Sequence, residues 1–323
     1  MKGIKDNVPY KLILEKLVDD GAYIFGEILD PVKADYLYKS ILQDREFGAN
    51  LFLTEEEYRK DPQHKGVNPR VGFNLIDKFD TEVSFIEQDQ YLKSVLKRLI
   101  GDDYTIFNKK IVCGVPDFCI PDWLKIILED GPINNLGAYV KPEFRDVTFF
   151  HGIDFHQDNI DWPKDNGMVD PGELITLYIY IHTVSPLDSP LYLMPKTHKL
   201  GATVFPHNLE LKKGSEGTWI YSDNQNNTLE AKHLMLTGGP GYAALWHSST
   251  LHGTQGINVS NKESASCRIS LRYLLRRSQT NTGKLGLDVV NNTIQAPLFL
   301  DNSRVDLDDK GESKVKHNSI KNI

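Results

Sequence analysis

The sequence is short of cysteine, of basic clusters and of long apolar runs, and each shortage closes off a class of protein. Three cysteines in 323 residues, Cys113, Cys119 and Cys267, make no disulfide framework, and no two stand at the C-x-x-C spacing of a zinc or redox site. Buried reduced thiols are the expectation. A net charge of −7 and a pI near 5.8 argue against a phosphate-binding surface. The nearest basic cluster, CRISLRYLLRR at 267–277, alternates as a strand does. Nowhere do about 18 apolar residues run together as a membrane span requires. The opening stretch MKGIKDNVPYKLILEKLVDDG has no apolar core of signal-peptide length. A cytoplasmic chain that binds neither nucleic acid nor membrane is expected. No repeat, low-complexity segment or Ser/Pro-rich linker divides it. With 40% hydrophobic and 25% charged residues it has the composition of a soluble globular protein, and one domain over 1–323 is expected.

Helical signals fill the first hundred residues. Leu14, Leu17 and Val18 recur at helical spacing ahead of Gly21, a C-terminal cap, and a strand-like AYIF follows. Asp30 before Pro31 supplies an N-cap and a first-turn proline; Thr54 with Glu57 makes a capping box; Asp89 opens a helix that Gly101 closes. From residue 104 the pattern changes. YTIF, KIVC, GAYV, VTFF, LITLYIYIH, YAALWH and RISLRYLL are β-rich runs separated by Gly, Pro, Asn and Asp, over 104–277. Such runs without long helices between them indicate an antiparallel sandwich or barrel, here under a helical layer. Within ELITLYIYIH, Ile175, Leu177, Ile179 and Ile181 share one face, while Thr176, Tyr178, Tyr180 and His182 share the other, which suits either a partly solvated face or a cavity wall. The polar tail from about 301 to 323 is expected to be loose or disordered.

The chemistry concentrates in FFHGIDFHQDNIDW, residues 149–162. His156 and Asp158 are two positions apart, so on an extended chain an imidazole and a carboxylate point the same way and suit one metal ion. Asp154 shares that parity unless Gly152 breaks it, and with Asp161 it is read as a flanking turn residue. A histidine from WHSSTLHGTQG, residues 246–256, would complete two histidines and a carboxylate on one side of a metal, the set that suits non-haem Fe(II) with open positions. In CRISLRY, Arg268 and Ser270 share a strand face, where a planar guanidinium fork and a hydroxyl grip one carboxylate.

The order H-x-D, a long gap, H, then R-x-S resembles the Fe(II)/2-oxoglutarate dioxygenases, and within them the phytanoyl-CoA dioxygenase-like family. LVDDGAYIFGEILDPVKADYL resembles that family's opening helix, strand and helix. LYLMPKTHKLG resembles its Pro-Gly-Ser-His-Lys segment, with Lys196 and Thr197 in place of Gly and Ser, and LTGGPGYAALWHSSTLHG resembles the turn and strand that deliver the distal histidine. The resemblance runs from about residue 10 to 275. It implies a mainly β fold with flanking helices around a double-stranded β-helix, a cupin-like jelly roll. It implies His156, Asp158 and His252 as iron ligands, Arg268 as the holder of the far carboxylate of 2-oxoglutarate, and Ser270 as its helper. Fe(II), 2-oxoglutarate and O₂ would then be used together. Arg268 stands sixteen positions after His252, farther than in the family pattern, so Arg272, with the same strand parity, stands as the rival to Arg268 and as a substrate anchor or a structural ion pair. Thr176 and Lys141 are candidate co-substrate contacts, and Tyr178 and Trp246 candidate pocket walls. Of the other histidines, His151, His247 and His198 are read as supporting residues, and His182, His207 and His233 carry no signal.

An intact carboxylate at Asp158 favours hydroxylation, desaturation or cyclisation over halogenation, since related halogenases have Gly or Ala there. The expected substrate is a small polar metabolite or natural-product intermediate. Residues 50–75 and 205–235, rich in Asn, Lys and Glu, are expected as the pocket loops that choose it. Two other classes are a zinc-dependent hydrolase on the same residues, which lacks an H-E-x-x-H base here, and a non-catalytic β-sandwich binding module.

Overall fold

The computed structural model describes residues 8–60, 74–128, 133–158, 170–203, 207–223, 227–254, 267–281, 283–294, 296 and 298. The proposed tail, Asp161 and the turn between His252 and Arg268 lie outside the described residues.

Local chemistry sets the helices. α1 (Tyr10–Asp20) buries Ile13 and Leu17 and stops at Gly21, whose φ of 72° is the left-handed conformation a helix C-terminus favours. β1 (Ala22–Glu27) follows at once. Asp30 caps α2 (Pro31–Asp44) by accepting from the N–H groups of Val32 and Lys33. Thr54 and Glu57 exchange hydrogen bonds at the start of α3 (Glu55–Lys60). After the single turn α4 (Ser84–Glu87), Asp89 caps α5 (Gln90–Ile100), which turns Leu92, Val95, Leu96 and Leu99 inward.

The strands depart from the sequence reading in three places. YTIF and KIVC belong to one strand, β2 (Thr105–Gly114). After α6 (Asp122–Leu128) and β3 (Ile133–Asn135), GAYV is a turn, with only Val140 bridging to Phe52. The N–H of Gly137 is taken by the Asn135 side chain and that of Tyr139 by the Leu136 carbonyl, so local bonds consume groups a strand would pair. Then come β4 (Thr148–His156), β5 (Leu174–Tyr180) and β6 (Leu191–Met194). The third departure is 205–235. Apart from 204–206 and 224–226, which are not described, it folds as β7 (Asn208–Leu211), β8 (Thr218–Ser222) and β9 (Thr228–Lys232), a separate antiparallel sheet. Leu209, Trp219, Tyr221 and Ala231 pack there against Phe155, Tyr192, Met194 and Leu251, and that buried contact is why these residues are not a loop. β10 (Leu234–Leu236), β11 (Tyr242–His247), β12 (Leu251–Thr254), β13 (Arg268–Arg276) and α7 (Gly286–Asn291) complete the described order.

The main sheet has ten strands in the order β1-β11-β5-β13-β2-β4-β12-β6-β10, with β3 beside β4. It is mixed rather than purely antiparallel, because β2 and β4 run parallel. The fold is mainly β, a curled sheet with a jelly-roll core and helices on one face. Ile175, Leu177, Ile179 and Ile181 of the β5 segment join the helices in the large core, while Tyr178 and Tyr180 turn the other way, onto Trp246, Tyr242 and Leu193. No helix among the described residues is long and apolar enough to cross a membrane. The three cysteines are free, buried thiols; Cys267 shares hydrogen bonds with both Cys113 and Cys119.

Candidate functional site

β4 and β12 bring His156 and His252 together as antiparallel register partners. Their ring centroids are 4.3 Å apart. The strand is irregular just before this point, with a register shift between Ile153 and His156 on β4 and a φ of 88° at Gly152. Asp154, read from the sequence as a flanking turn residue, is therefore a buried residue inside β4, because the bulge absorbs the extra residue without ending the strand. Asp158 follows two residues beyond the strand, its N–H donated to the Ser248 carbonyl at 3.3 Å. That bond ties the end of β4 to the turn between β11 and β12.

Both rings are oriented identically. The Nδ1 of His156 lies 2.9 Å from the Asp154 carbonyl and the Nδ1 of His252 lies 3.1 Å from the Thr250 carbonyl. A carbonyl only accepts, so each Nδ1 carries the proton and each Nε2 keeps its lone pair. Burial lowers the pKa of both rings below the usual value, for His156 assisted by His252 nearby, so both are neutral at ordinary pH. His156 nevertheless keeps part of its surface open to solvent. Burial pushes the Asp158 carboxyl upward, but the charge of Arg272 and the Thr176 hydroxyl outweigh it and hold the group well below the carboxylate range.

Asp158 is the meeting point of residues from the other half of the sheet. Its Oδ2 accepts from the Thr176 hydroxyl and from the Trp246 indole at 3.1 Å, and its Oδ1 accepts from Arg272 at 2.5 Å while standing 3.6 Å from His252 Nε2. Thr176 and Trp246 are register partners on β5 and β11. Thr176, expected against co-substrate, Trp246, expected along a pocket wall, and Arg272, expected as the rival to Arg268, a substrate anchor or a structural ion pair, all meet on the carboxylate. Among the described residues, no three His, Cys, Asp or Glu side chains are grouped so as to hold a metal ion as they stand.

Arg268 lies at the head of β13, 1% exposed, with its guanidinium donating to the Ser189 carbonyl. Its Nε is buried with no hydrogen-bond partner. Gly114 is its register partner, and a Cβ there would come within 3.4 Å of the guanidinium, so the strand approaches the fork closely. Ser270 shares the face and its hydroxyl is 2.7 Å from that of Tyr178. His182, which carried no signal in the sequence, accepts the Ile269 N–H at 3.0 Å and fixes the start of this strand. Lys141 is set apart: its N–H bonds to Leu51 and its charge reaches Glu57 at the exposed α3.

One residue was missed. Lys110 on β2 is the register partner of Arg272, is 8% exposed, and its charge acts on His252. The signal was available in NKKIVC: on a strand, adjacent lysines face opposite ways, and only Lys109 reaches the outer carboxylates of Asp80 and Glu87.

The other histidines support the frame. His247 accepts the Ser249 N–H on Nδ1 and donates from Nε2 to Asn291; His198 bonds the Val18 carbonyl; His151 bonds the Val115 carbonyl. Lys196 adopts a φ of 70°, the left-handed conformation that suits glycine.

The sheet thus pairs two lone-pair-bearing histidines beside an ionised carboxylate. Residues 127–265 match the family model described as "Phytanoyl-CoA dioxygenase (PhyH)", a stretch that contains His156, Asp158 and His252 and stops three residues before Arg268. Among solved structures, the chain is similar to "the non-heme alpha ketoglutarate dependent epimerase SnoN from nogalamycin biosynthesis" at 12% identity and a TM-score of 0.47, covering 90% of this chain and 96% of that one. It is also similar to EctD from S. alaskensis with bound Fe, at 14% identity and a TM-score of 0.49, covering 88% and 83%. A third is the non-heme monooxygenase ThoJ, at 10% identity and a TM-score of 0.47, covering 82% and 77%. No curated protein matches the chain.

Proposed function

We propose that the protein is a non-haem Fe(II)- and 2-oxoglutarate-dependent oxygenase that hydroxylates a small polar metabolite or natural-product intermediate. The observation that carries the reading is the His156–His252 register pair, with both Nδ1 atoms committed to backbone carbonyls, beside the ionised Asp158. Two neutral imidazoles and one carboxylate are the donor types of a facial Fe(II) site, so by donor chemistry these are the residues that would hold the metal. Bound there, Fe(II) supplies the activation of O₂, with the keto acid as the source of two electrons.

The chain supplies the rest. Arg268 presents a buried guanidinium whose Nε has no partner, and a carboxylate of the keto acid would satisfy it with a second N–H of the same fork. A buried donor left unmatched costs about 1–3 kcal/mol, so the free energy recovered on binding favours this acid over uncharged ketones. Ser270 stands on the same strand face with its hydroxyl already oriented by Tyr178. Trp246 and Tyr178, both buried, keep water from the inner side of the histidine pair. In the overall balance a substrate C–H, O₂ and 2-oxoglutarate become C–OH, succinate and CO₂. A zinc hydrolase on the same ligands would leave Arg268 without a role.

Succinate release in air from Fe(II)-loaded protein and 2-oxoglutarate tests the reading, and a panel of polar candidate substrates that stimulates it would find the substrate. Absence of succinate under all these conditions would overturn it.

A further inference from the structure

We infer that Lys110 anchors a carboxylate of the substrate, so that the site takes an organic acid rather than a neutral compound; this rests on the oxygenase reading above. β2 and β13 sort their side chains by alternation. Ile111 and Cys113 of β2 and Ile269, Leu271 and Tyr273 of β13 enter the large core with the helices. The residues between them turn to the opposite face, where Gly114 is paired with Arg268, Val112 with Ser270 and Lys110 with Arg272. Tyr178 of β5 pairs with Arg272 from the other side, so Tyr178, Arg272 and Lys110 form one row across three neighbouring strands. Lys110 is buried in that row, 8% exposed, and its charge acts on His252.

The wall that carries this row is positive. β2, β5, β11 and β13 contain no Asp or Glu. On the outer face and at the rim their cations meet carboxylates of neighbouring segments, Lys109 those of Asp80 and Glu87, and Arg276 that of Glu173. Inside, Asp158 meets Arg272 in the same way. Lys110 sets a second cation directly opposite Arg272, and like charges paired across strands destabilise a sheet. Burial of an ammonium adds to that cost, and a carboxylate bound against it offsets both. An ammonium has three N–H donors, so Lys110 can keep a protein partner and still donate to a substrate oxygen. Its flexible stem lets the charge follow an acid group within the row, whereas the fork of Arg272 is already held by Asp158.

Fluorine NMR titration with 4-fluorobenzoate and with 4-fluorobenzamide tests this without metal or turnover, since the two probes share a ring and differ in charge. The wild-type protein should bind the acid about 10- to 100-fold more tightly than the amide, the worth of a charge-assisted hydrogen bond. Lys110→Met and Lys110→Gln should each lose that preference, and Lys110→Arg should recover part of it. Arg268→Ala should keep the preference, which separates this anchor from the residue proposed to hold the keto acid. No preference in the wild-type protein, a preference that persists in Lys110→Met or Lys110→Gln, or one that is lost in Arg268→Ala would overturn the anchor. The oxygenase reading fails separately, if protein that shows the preference releases no succinate in air with Fe(II), 2-oxoglutarate and candidate acids.

Discussion

His156 and His252 face each other across β4 and β12, and each fixes its ring in the same way, donating from Nδ1 to the carbonyl two residues earlier in the chain. The two Nε2 atoms are left as a matched pair of donors. His156→Ala, Asp158→Ala and His252→Ala should each abolish Co(II) or Fe(II) binding by calorimetry. His151→Ala and His247→Ala should retain it, because their ring nitrogens are bonded to Val115, Ser249 and Asn291. The opposite ranking would mean that the ligands are assigned to the wrong histidines.

Arg268 and Arg272 separate by what their guanidinium groups touch. Arg268 carries an unmatched buried Nε, and Arg272 is committed to Asp158. Arg268→Ala should weaken 2-oxoglutarate binding to the Co(II)-loaded protein about 10- to 100-fold, from the loss of charge-assisted hydrogen bonds of about 1.5–3 kcal/mol. The analogue 2-oxovalerate, which lacks the far carboxylate, should bind wild type and Arg268→Ala alike. Discrimination between the two acids that survives in Arg268→Ala would place the carboxylate site elsewhere.

Acid should destabilise the fold through its structural histidines. Burial lowers His182 and His247 to about 4, and burial with the neighbouring His247 lowers His198 to about 3. Each ring is held neutral when folded and takes a proton more readily when unfolded. The stability they contribute is complete above the unfolded value near 6.5 and is lost as pH falls from there toward 4 and 3. The thermal midpoint, followed by circular dichroism, should drop between pH 7 and pH 4; a flat profile would contradict the burial of these rings.

At Lys196 the strain is local. Its φ of 70° places a side-chain-bearing residue in the left-handed region, where the family pattern has glycine. Lys196→Gly should raise stability by about 0.5–1 kcal/mol, read from the denaturation midpoint, since the relief of about 1–2 kcal/mol of strain exceeds the added entropy of the unfolded glycine. A loss of stability would show that Lys196 makes contacts worth more than that strain.

What could be read from the sequence was what is decided locally. Asp30, Asp89 and the Thr54–Glu57 pair cap their helices because a cap involves residues two or three apart. The two faces of β5 followed from strand alternation alone. What could not be read was decided by curling. Thr176, Trp246 and Arg272 meet on Asp158 only because the sheet folds back on itself, and no spacing encodes that meeting. The β7–β9 sheet was hidden in polar sequence because its strands are four or five residues long and bury one face only, on Phe155 and Leu251. Asp154 was misjudged because a bulge, not a turn, precedes His156.

The central claim is that His156, Asp158 and His252 hold Fe(II) while Arg268 seats 2-oxoglutarate beside it. Anaerobic addition of Fe(II) and then 2-oxoglutarate, followed by visible absorption, tests it most directly. A weak charge-transfer band should appear only when both are present, be lost in His252→Ala, and require more 2-oxoglutarate in Arg268→Ala. No band in the wild-type protein, or an equal band in His252→Ala, would contradict the claim.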